Sequence, residues 1–240
     1  MTSRPATAPG TAGAGGAVCG DNCGKIEMDE IVLYDYWRSS ASYRVRIALN
    51  SLGVGYRTVP VDLLAGEHKA SGHLVRNPQG LVPALELDDG TLLTQSLAII
   101  DYLESIAPEP RLVPQDPIQA AQVRAVALTI ACDIHPLNNL RVLNYLKGPL
   151  ARPQAEVDQW YRHWILKGGL EAVEALIEGG RFCFGDRPSL ADICLIPQVL
   201  NARRYKVDIA HLKKIEAVDR HCNTLAAFRR AHPAQQPDAE

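Results

Sequence analysis

The sequence predicts two units in succession, a small mixed α/β unit and then an all-helical one. Three observations lead there. Short β-branched runs alternate with helical patterns up to residue 106; a proline-rich stretch with Pro108, Pro110 and Pro114 follows; and from Asp116 and Pro117 onward every apolar pattern has helical period. A chain of 240 residues is long enough to bury a substantial core, as one large domain or two small ones. The expected division is residues 1–28 as an extension, 29–108 as the first unit and 115–240 as the second, with the proline-rich stretch as linker.

Residues 1–28 are rich in Gly, Ala, Thr and Pro and nearly free of large apolar side chains. Such a segment cannot bury enough surface to offset its ordering entropy, so a flexible extension is expected. Ile31, Val32, Leu33 and Tyr34 read as a buried strand. After the polar run from Trp37 to Ala41, a helical pattern starts at Ser42, carries Val45, Ile47, Ala48, Leu49 and Leu52, and stops at Gly53. Residues 56–61 alternate like a second strand. Residues 82–87 and 91–93 flank Asp88, Asp89 and Gly90, a hairpin signal. Gln95 and Ser96 then open a helix carrying Leu97, Ile99, Ile100 and Leu103 that ends before Pro108. In the second unit the helical stretches are 117–147, 153–178, 189–204 and 212–231, with Pro117 and Pro153 as first-turn prolines.

Composition excludes several classes of function. With 47% hydrophobic and 22% charged residues and a net charge of -2, the chain offers no concentrated basic face, so nucleic acid is not expected as a partner. No apolar run approaches the ~20 residues that span a bilayer, and the N-terminus lacks the apolar segment of a secretory signal. A soluble, cytoplasmic protein is expected. Of six cysteines, Cys132, Cys183, Cys194 and Cys222 sit in apolar or helical surroundings, where a free thiol acts as a small hydrophobe. Cys19 and Cys23 form a lone pair without further ligands at suitable spacing, so no metal is expected.

Four motifs bear on chemistry. The run Arg38, Ser39, Ser40, Ala41, Ser42, Tyr43, Arg44 follows a strand and opens a helix, where hydroxyls, free N–H groups and the helix dipole favour an anion. The plainer reading is that Ser40 or Ser42 only caps the helix, which accounts for one serine and not for three beside an arginine. Thr94, Gln95 and Ser96 stand at a second strand-to-helix junction. There Ser96 either caps the helix and nothing more, or the helix N-terminus and the Gln95 amide also hold a ligand carboxylate. Pro83, at the start of a strand, is a candidate for a cis peptide that turns the Val82 backbone outward. Ser189 and Asp192 have the spacing of a capping box and are read as serving folding.

Taken together with Cys132 through Asn139 and with Pro197, Gln198 and Val199, these motifs resemble the glutathione transferase family. The run with Ser39, Ser40, Ser42, Arg44, Val45 and Arg46 is similar to its zeta class in particular. The resemblance implies a thioredoxin-like N-terminal domain that binds glutathione, an all-helical glutathione-transferase C-terminal domain that completes the substrate pocket, and a cytosolic homodimer. It implies glutathione-dependent cis–trans isomerisation of maleylacetoacetate to fumarylacetoacetate in tyrosine and phenylalanine breakdown, with glutathione conjugation as a side activity. Carried onto this chain, Ser39 is the thiolate-stabilising serine with Ser40 beside it. Val82 supplies the backbone that pairs with the cysteinyl unit, with Pro83 as its cis-proline. Gln95 and Ser96 hold the γ-glutamyl end, His68 the glycine end, and His135, Asn139 and Arg141 approach from the helical domain. Many zeta sequences have cysteine where this chain has Ala41, which implies that no protein thiol is needed.

The implied chemistry has a physical logic. Rotation about a double bond is slow, and a thiolate that adds to the conjugated carbon leaves a rotatable single bond until it departs. Arginine forks suit the two substrate carboxylates, with Arg38, Arg141 and Arg204 as candidates. Two rivals remain at this level: a maleylpyruvate isomerase, and a non-catalytic binding protein of the same fold. Retention of Ser39, Gln95 and Ser96 speaks against the second.

Overall fold

The computed structural model describes residues 31–107 and 109–239, so the expectations for residues 1–28, Cys19 and Cys23 lie outside the described residues. The first half contains β1 (Val32–Asp35), α1 (Ser40–Leu52), β2 (Arg57–Pro60), the single turn α2 (Ser71–Leu74), β3 (Ala84–Glu86), β4 (Leu92–Thr94) and α3 (Ser96–Ile106). The strands form one sheet in the order β2-β1-β3-β4; β1 and β2 are parallel, and the other two pairs are antiparallel. A parallel pair needs a crossover, and α1 supplies it. Successive residues of β1 point to opposite faces. Ile31 and Leu33 enter the main core with α1 and α3, while Val32 and Tyr34 join Tyr36, Val61, Val82 and Ala84 in a smaller cluster on the other side.

The second half comprises α4 (Pro117–Leu128), α5 (Leu140–Lys147), α6 (Gln154–Ile165), α7 (Glu171–Leu176), α8 (Leu190–Arg204), α9 (Lys213–Cys222) and α10 (Ala226–Ala231). Asp116 caps α4, accepting from the Gln119 N–H at 2.9 Å, and Pro117 takes the first helical position as expected. Several expectations are corrected, among them the stretch 212–231, which is divided into α9 and α10 by residues 223–225. The stretch 117–147 is not one helix: α4 widens into a π turn over Thr129–Ile134, passes through a short 3-10 turn at Pro136–Asn138, and restarts as α5. Pro136 forces the break, because it has no N–H to continue the ladder. The stretch 153–178 is likewise broken, at Lys167 and Gly168, and Pro153 stands at the cap position just before α6. The first helix starts two residues before Ser42, at Ser40.

Helix α8 is buried almost all round, as its apolar sequence requires. The expected capping box is present: the Asp192 carboxylate accepts from the Ser189 N–H at 2.8 Å, the Ser189 hydroxyl at 2.7 Å and the Cys183 N–H at 2.7 Å. Helix α1 packs on α3, α8 and α10, so it belongs to both halves at once. Arg46, fully buried on α1, pairs with the equally buried Asp35 of β1 at 2.5 Å and donates to the carbonyls of Ala231 at 2.9 Å and Trp37 at 3.1 Å. One guanidinium thus joins the sheet, the C-terminal helix and the loop that enters α1. Replacing one partner of such a pair leaves a buried charge uncompensated and costs about 3–5 kcal/mol. Asp35→Asn, which keeps the shape and removes the charge, is expected to lose stability on that scale in urea denaturation; a loss below about 1 kcal/mol would show that the pair contributes little.

Candidate active site

A cleft of about 780 Å³ opens where the N-terminal end of α1 faces α5 and α8. From the first half it is lined by Arg38, Ser39, Ser40, His68 and Val82, and from the second by His135, Asn139, Arg141 and Arg204. Nine of the residues singled out in the sequence therefore meet in one place. Pro83, Gln95 and Ser96 are not among the lining residues; Gln95 connects to the cleft through Gln79, whose Oε1 accepts from its amide at 2.7 Å.

The serines are arranged as donors. Ser39 is the N-cap of α1, and its hydroxyl oxygen accepts from the Ser42 N–H at 3.2 Å. The plainer reading, in which Ser40 or Ser42 caps the helix, is thus not what the structure has. Ser40 is buried, and its oxygen accepts from the Asn201 amide at 2.6 Å. A hydroxyl has one hydrogen, and an oxygen already receiving a donor leaves that hydrogen free to point elsewhere. Both hydroxyls lie at the positive end of α1, where an anion is stabilised.

The loop before β3 is fastened by the Leu81 carbonyl, which accepts from the Asn77 amide at 2.8 Å and lies 2.9 Å from His73 Nε2. Gly80 has φ +61, and a Cβ there would stand 3.0 Å from the His68 carbonyl oxygen, so the close approach requires glycine. The Val82–Pro83 peptide is cis, as anticipated, and the Val82 N–H and C=O have no hydrogen-bond partner among the described residues. Burial, with Lys69 and His73 nearby, holds the His68 imidazole below its ordinary pKa.

Gln95, not Ser96, occupies the N-cap position of α3, and it provides no side-chain cap. Its φ of 69 is rare for a residue with a side chain, and such backbone concentrates at functional sites. Ser96 is the first helical residue and accepts a long hydrogen bond, 3.4 Å, from Arg44. The expectation that Ser96 caps this helix is therefore corrected.

The break after α4 brings the helical half into the cleft. His135 sits between the π turn and the 3-10 turn, and Asn139 caps α5 by accepting from the Arg141 N–H at 3.1 Å. Burial, and after it the charges of Arg44 and Arg141, lower the His135 pKa to about 3, so its imidazole is neutral at physiological pH. Arg204 lies 5.0 Å over the Tyr205 ring, which stacks on Tyr161 at 3.5 Å. Arg38 lies 4.3 Å over Trp37. Counting Lys69, the lining carries four cations, Arg38, Lys69, Arg141 and Arg204, and no Asp or Glu among the described residues. The arrangement suits a ligand with several negative charges.

Sequence reasoning missed Asn201, Asn138 and the environment of Gln198. Asn138 and Gln198 line the cleft with both amide atoms buried and unpartnered among the described residues. Gln198, Asn201 and Arg204 recur every three residues on α8, so one helix face was readable. What was not readable is that this face looks at Ser40.

Two family models match the chain, the glutathione S-transferase N-terminal domain over residues 29–105 and the glutathione S-transferase C-terminal domain over residues 154–234. A maleylacetoacetate isomerase of Rhizobium meliloti (strain 1021) is 52% identical over 208 residues, covering 85% of this chain and 97% of that protein. The holo structure of a maleylpyruvate isomerase, a bacterial glutathione S-transferase of the zeta class, superimposes with TM-score 0.84 at 46% identity, covering 87% of this chain and 100% of the other. A maleylacetoacetate isomerase of Methylobacterium extorquens AM1, with malonate and glutathione bound, gives TM-score 0.84 at 40% identity over 87% of this chain and 99% of that one. With both domains matched, the chain belongs to the glutathione S-transferase family. Within it the chain falls in the zeta class, as the sequence motifs implied.

A histidine kept neutral in the fold but free to protonate when unfolded lowers stability as pH falls. The unfolded state binds the extra proton below about 6.5, and the loss grows down to the folded value near 3. His135→Gln is therefore expected to flatten the pH dependence of unfolding free energy between pH 6.5 and 4, relative to the parent. An unchanged slope would mean that His135 is not held neutral.

Proposed function

We propose that this chain is a glutathione-dependent cis–trans isomerase that converts maleylacetoacetate to fumarylacetoacetate in tyrosine and phenylalanine breakdown, in the glutathione-rich cytosol, with conjugation of electrophiles as a side activity. The observation that carries this reading is the lining of the cleft: among the described residues four cations, no carboxylate, and two serine hydroxyls free to donate at the mouth of α1. Glutathione and a substrate with a carboxylate at each end are both anionic. The names of the relatives point the same way.

The residues present fit glutathione. Val82 offers an unoccupied backbone N–H and C=O to the cysteinyl unit, Gln95 and Ser96 stand at the N-terminus of α3 for the γ-glutamyl end, and His68 lines the cleft for the glycine end. His135, Asn139 and Arg141 line the cleft from the helical half and are available to the tripeptide there. Glutathione, when bound, supplies the thiol that adds reversibly to the conjugated double bond and so permits rotation. The protein's part is electrostatic. A free thiol has a pKa of about 8.5, and the Ser39 hydroxyl, with Ser40 beside it and the α1 dipole behind, favours the ionised form. Arg38, Arg141 and Arg204 hold the substrate carboxylates, always charged and able to pair in two-point fashion. The neutral His135 adds no charge and can donate or accept one hydrogen bond.

A coupled assay offering maleylacetoacetate and maleylpyruvate separately tests the substrate. The higher kcat/KM is expected for maleylacetoacetate; a strong preference for maleylpyruvate would make the rival correct, and no turnover of either would favour a binding protein. Ser39→Ala tests the thiolate donor. It removes the cap of α1, at a cost of about 1 kcal/mol of stability, and turnover near pH 6.5 is expected to fall about tenfold for each unit of thiol pKa lost. The deficit should shrink toward pH 9, where the thiol ionises unaided, and Ser39→Thr should retain most activity. A loss of equal size at every pH would remove Ser39 from thiolate stabilisation.

The proposal includes a homodimer formed through α3 and α4. A small apolar groove lies between them, bordered by Leu97, Ile100, Ala127 and Leu128, with the acids Asp101 and Glu104 on one side and Arg124 on the other. A two-fold axis sets each patch against its own copy, so opposite charges across the groove become complementary. Light scattering is expected to give twice the chain mass, and Arg124→Glu to shift it toward the monomer. A monomeric parent protein would refute the dimer.

A further inference from the structure

Arg44 has a role that the cleft chemistry does not account for. It lies on α1 with 2% of its surface exposed, and its Nε and Nη2 have no hydrogen-bond partner among the described residues. Among the described residues no carboxylate pairs with it. Its remaining donor, Nη1, reaches the Ser96 hydroxyl oxygen at 3.4 Å. The neighbouring Arg46 shows the contrast, with a buried aspartate and two carbonyls around it. An unpaired buried cation is costly, and proteins retain such costs chiefly where function needs them.

A guanidinium only donates, so the Ser96 oxygen is the acceptor in this contact and the Ser96 hydrogen is free to point away from Arg44. Around it, the first turn of the eleven-residue α3 has no side-chain cap, and the first N–H that bonds back to the Gln95 carbonyl is that of Ile99. Gln95 itself is held at φ 69. Three features thus converge at one place: a helix start without a side-chain cap, a hydroxyl whose hydrogen Arg44 does not use, and a buried positive charge uncompensated among the described residues. We propose that Arg44 is a positioning residue for a ligand carboxylate at the N-terminus of α3, acting through Ser96. Resting on the reading above, that carboxylate is the α-carboxylate of the γ-glutamyl unit of glutathione, and its charge is the one that Arg44 lacks.

Binding calorimetry with two peptides tests this: glutathione, and 4-aminobutanoyl-cysteinyl-glycine, the same peptide without the α-carboxylate. Arg44→Met is expected to weaken glutathione about tenfold, the scale of one charge-assisted hydrogen bond, and to leave the affinity for the analogue unchanged. Combined with Ser96→Ala it should weaken glutathione no further than Ser96→Ala alone. Equal weakening of both peptides, or additive effects of the two substitutions, would overturn the proposal by showing a general structural role. If Arg44→Met does not fold, Arg44→Lys carries the comparison: its shorter, single-point donor lowers the ratio of glutathione to analogue affinity, and an unchanged ratio overturns the proposal. Failure of the parent protein to bind glutathione would overturn the functional reading and this inference with it, whereas glutathione binding indifferent to Arg44 would overturn this inference alone.

Discussion

Arg46 and Asp35 form an ion pair from which water is excluded, and the position of the first helix depends on it. The guanidinium also holds the carbonyls of Trp37 and Ala231, so the last residue of α10, the loop entering α1 and the first strand share one fastening. Because the charge is buried, its partners cannot be replaced by solvent, and each fixes the others. Only Arg38 separates Trp37 from Ser39, the cap of α1. The hydroxyl proposed to face the thiol is therefore set in place by a chain of contacts that begins in the core and ends at the cleft, and a serine on a loose loop would have no such orientation.

The cleft works by charge imbalance. Two buried or half-buried groups extend it inward: Arg44, which lacks a counter-ion among the described residues, and His135, which is held neutral and so adds no further repulsion. Arginines at the rim give an anionic ligand attraction at a distance, and hydroxyls and N–H groups at two helix starts give it direction at contact. The Asn138 and Gln198 amides, each carrying donor and acceptor without protein partners among the described residues, leave polar sites for the uncharged oxygens of a substrate.

Irregular backbone does much of the positioning. The 3-10 turn at Pro136–Asn138 and Gly80 at positive φ lie where the chain meets the cleft, the π turn after α4 leads into it, and Gln95 at φ 69 reaches it through Gln79. A regular helix through 117–147 would present one face to its neighbours and carry His135 and Arg141 along a fixed spiral. Breaking it lets Asn139 start a new helix whose first turn lines the cleft.

Much of this protein was legible in the sequence. Apolar period fixed the order of strands and helices, the hairpin at Asp88, Asp89 and Gly90 and the capping box at Ser189 and Asp192, because periodicity and cap chemistry are local and act within a few residues. The motif runs, together with the family resemblance they carry, also named nine residues that line one cleft. What the sequence did not contain is which groups meet across long separations. That Ser39 rather than Ser42 caps α1 depends on where β1 delivers the chain. That Asn201 donates to Ser40 depends on α8 packing against α1, 161 residues away. That Arg46 is paired while Arg44 is not depends on which side of α1 faces β1 and α10 and which faces Ser96. Such pairings are settled by how two amphipathic surfaces dock, and docking is decided by the whole core at once.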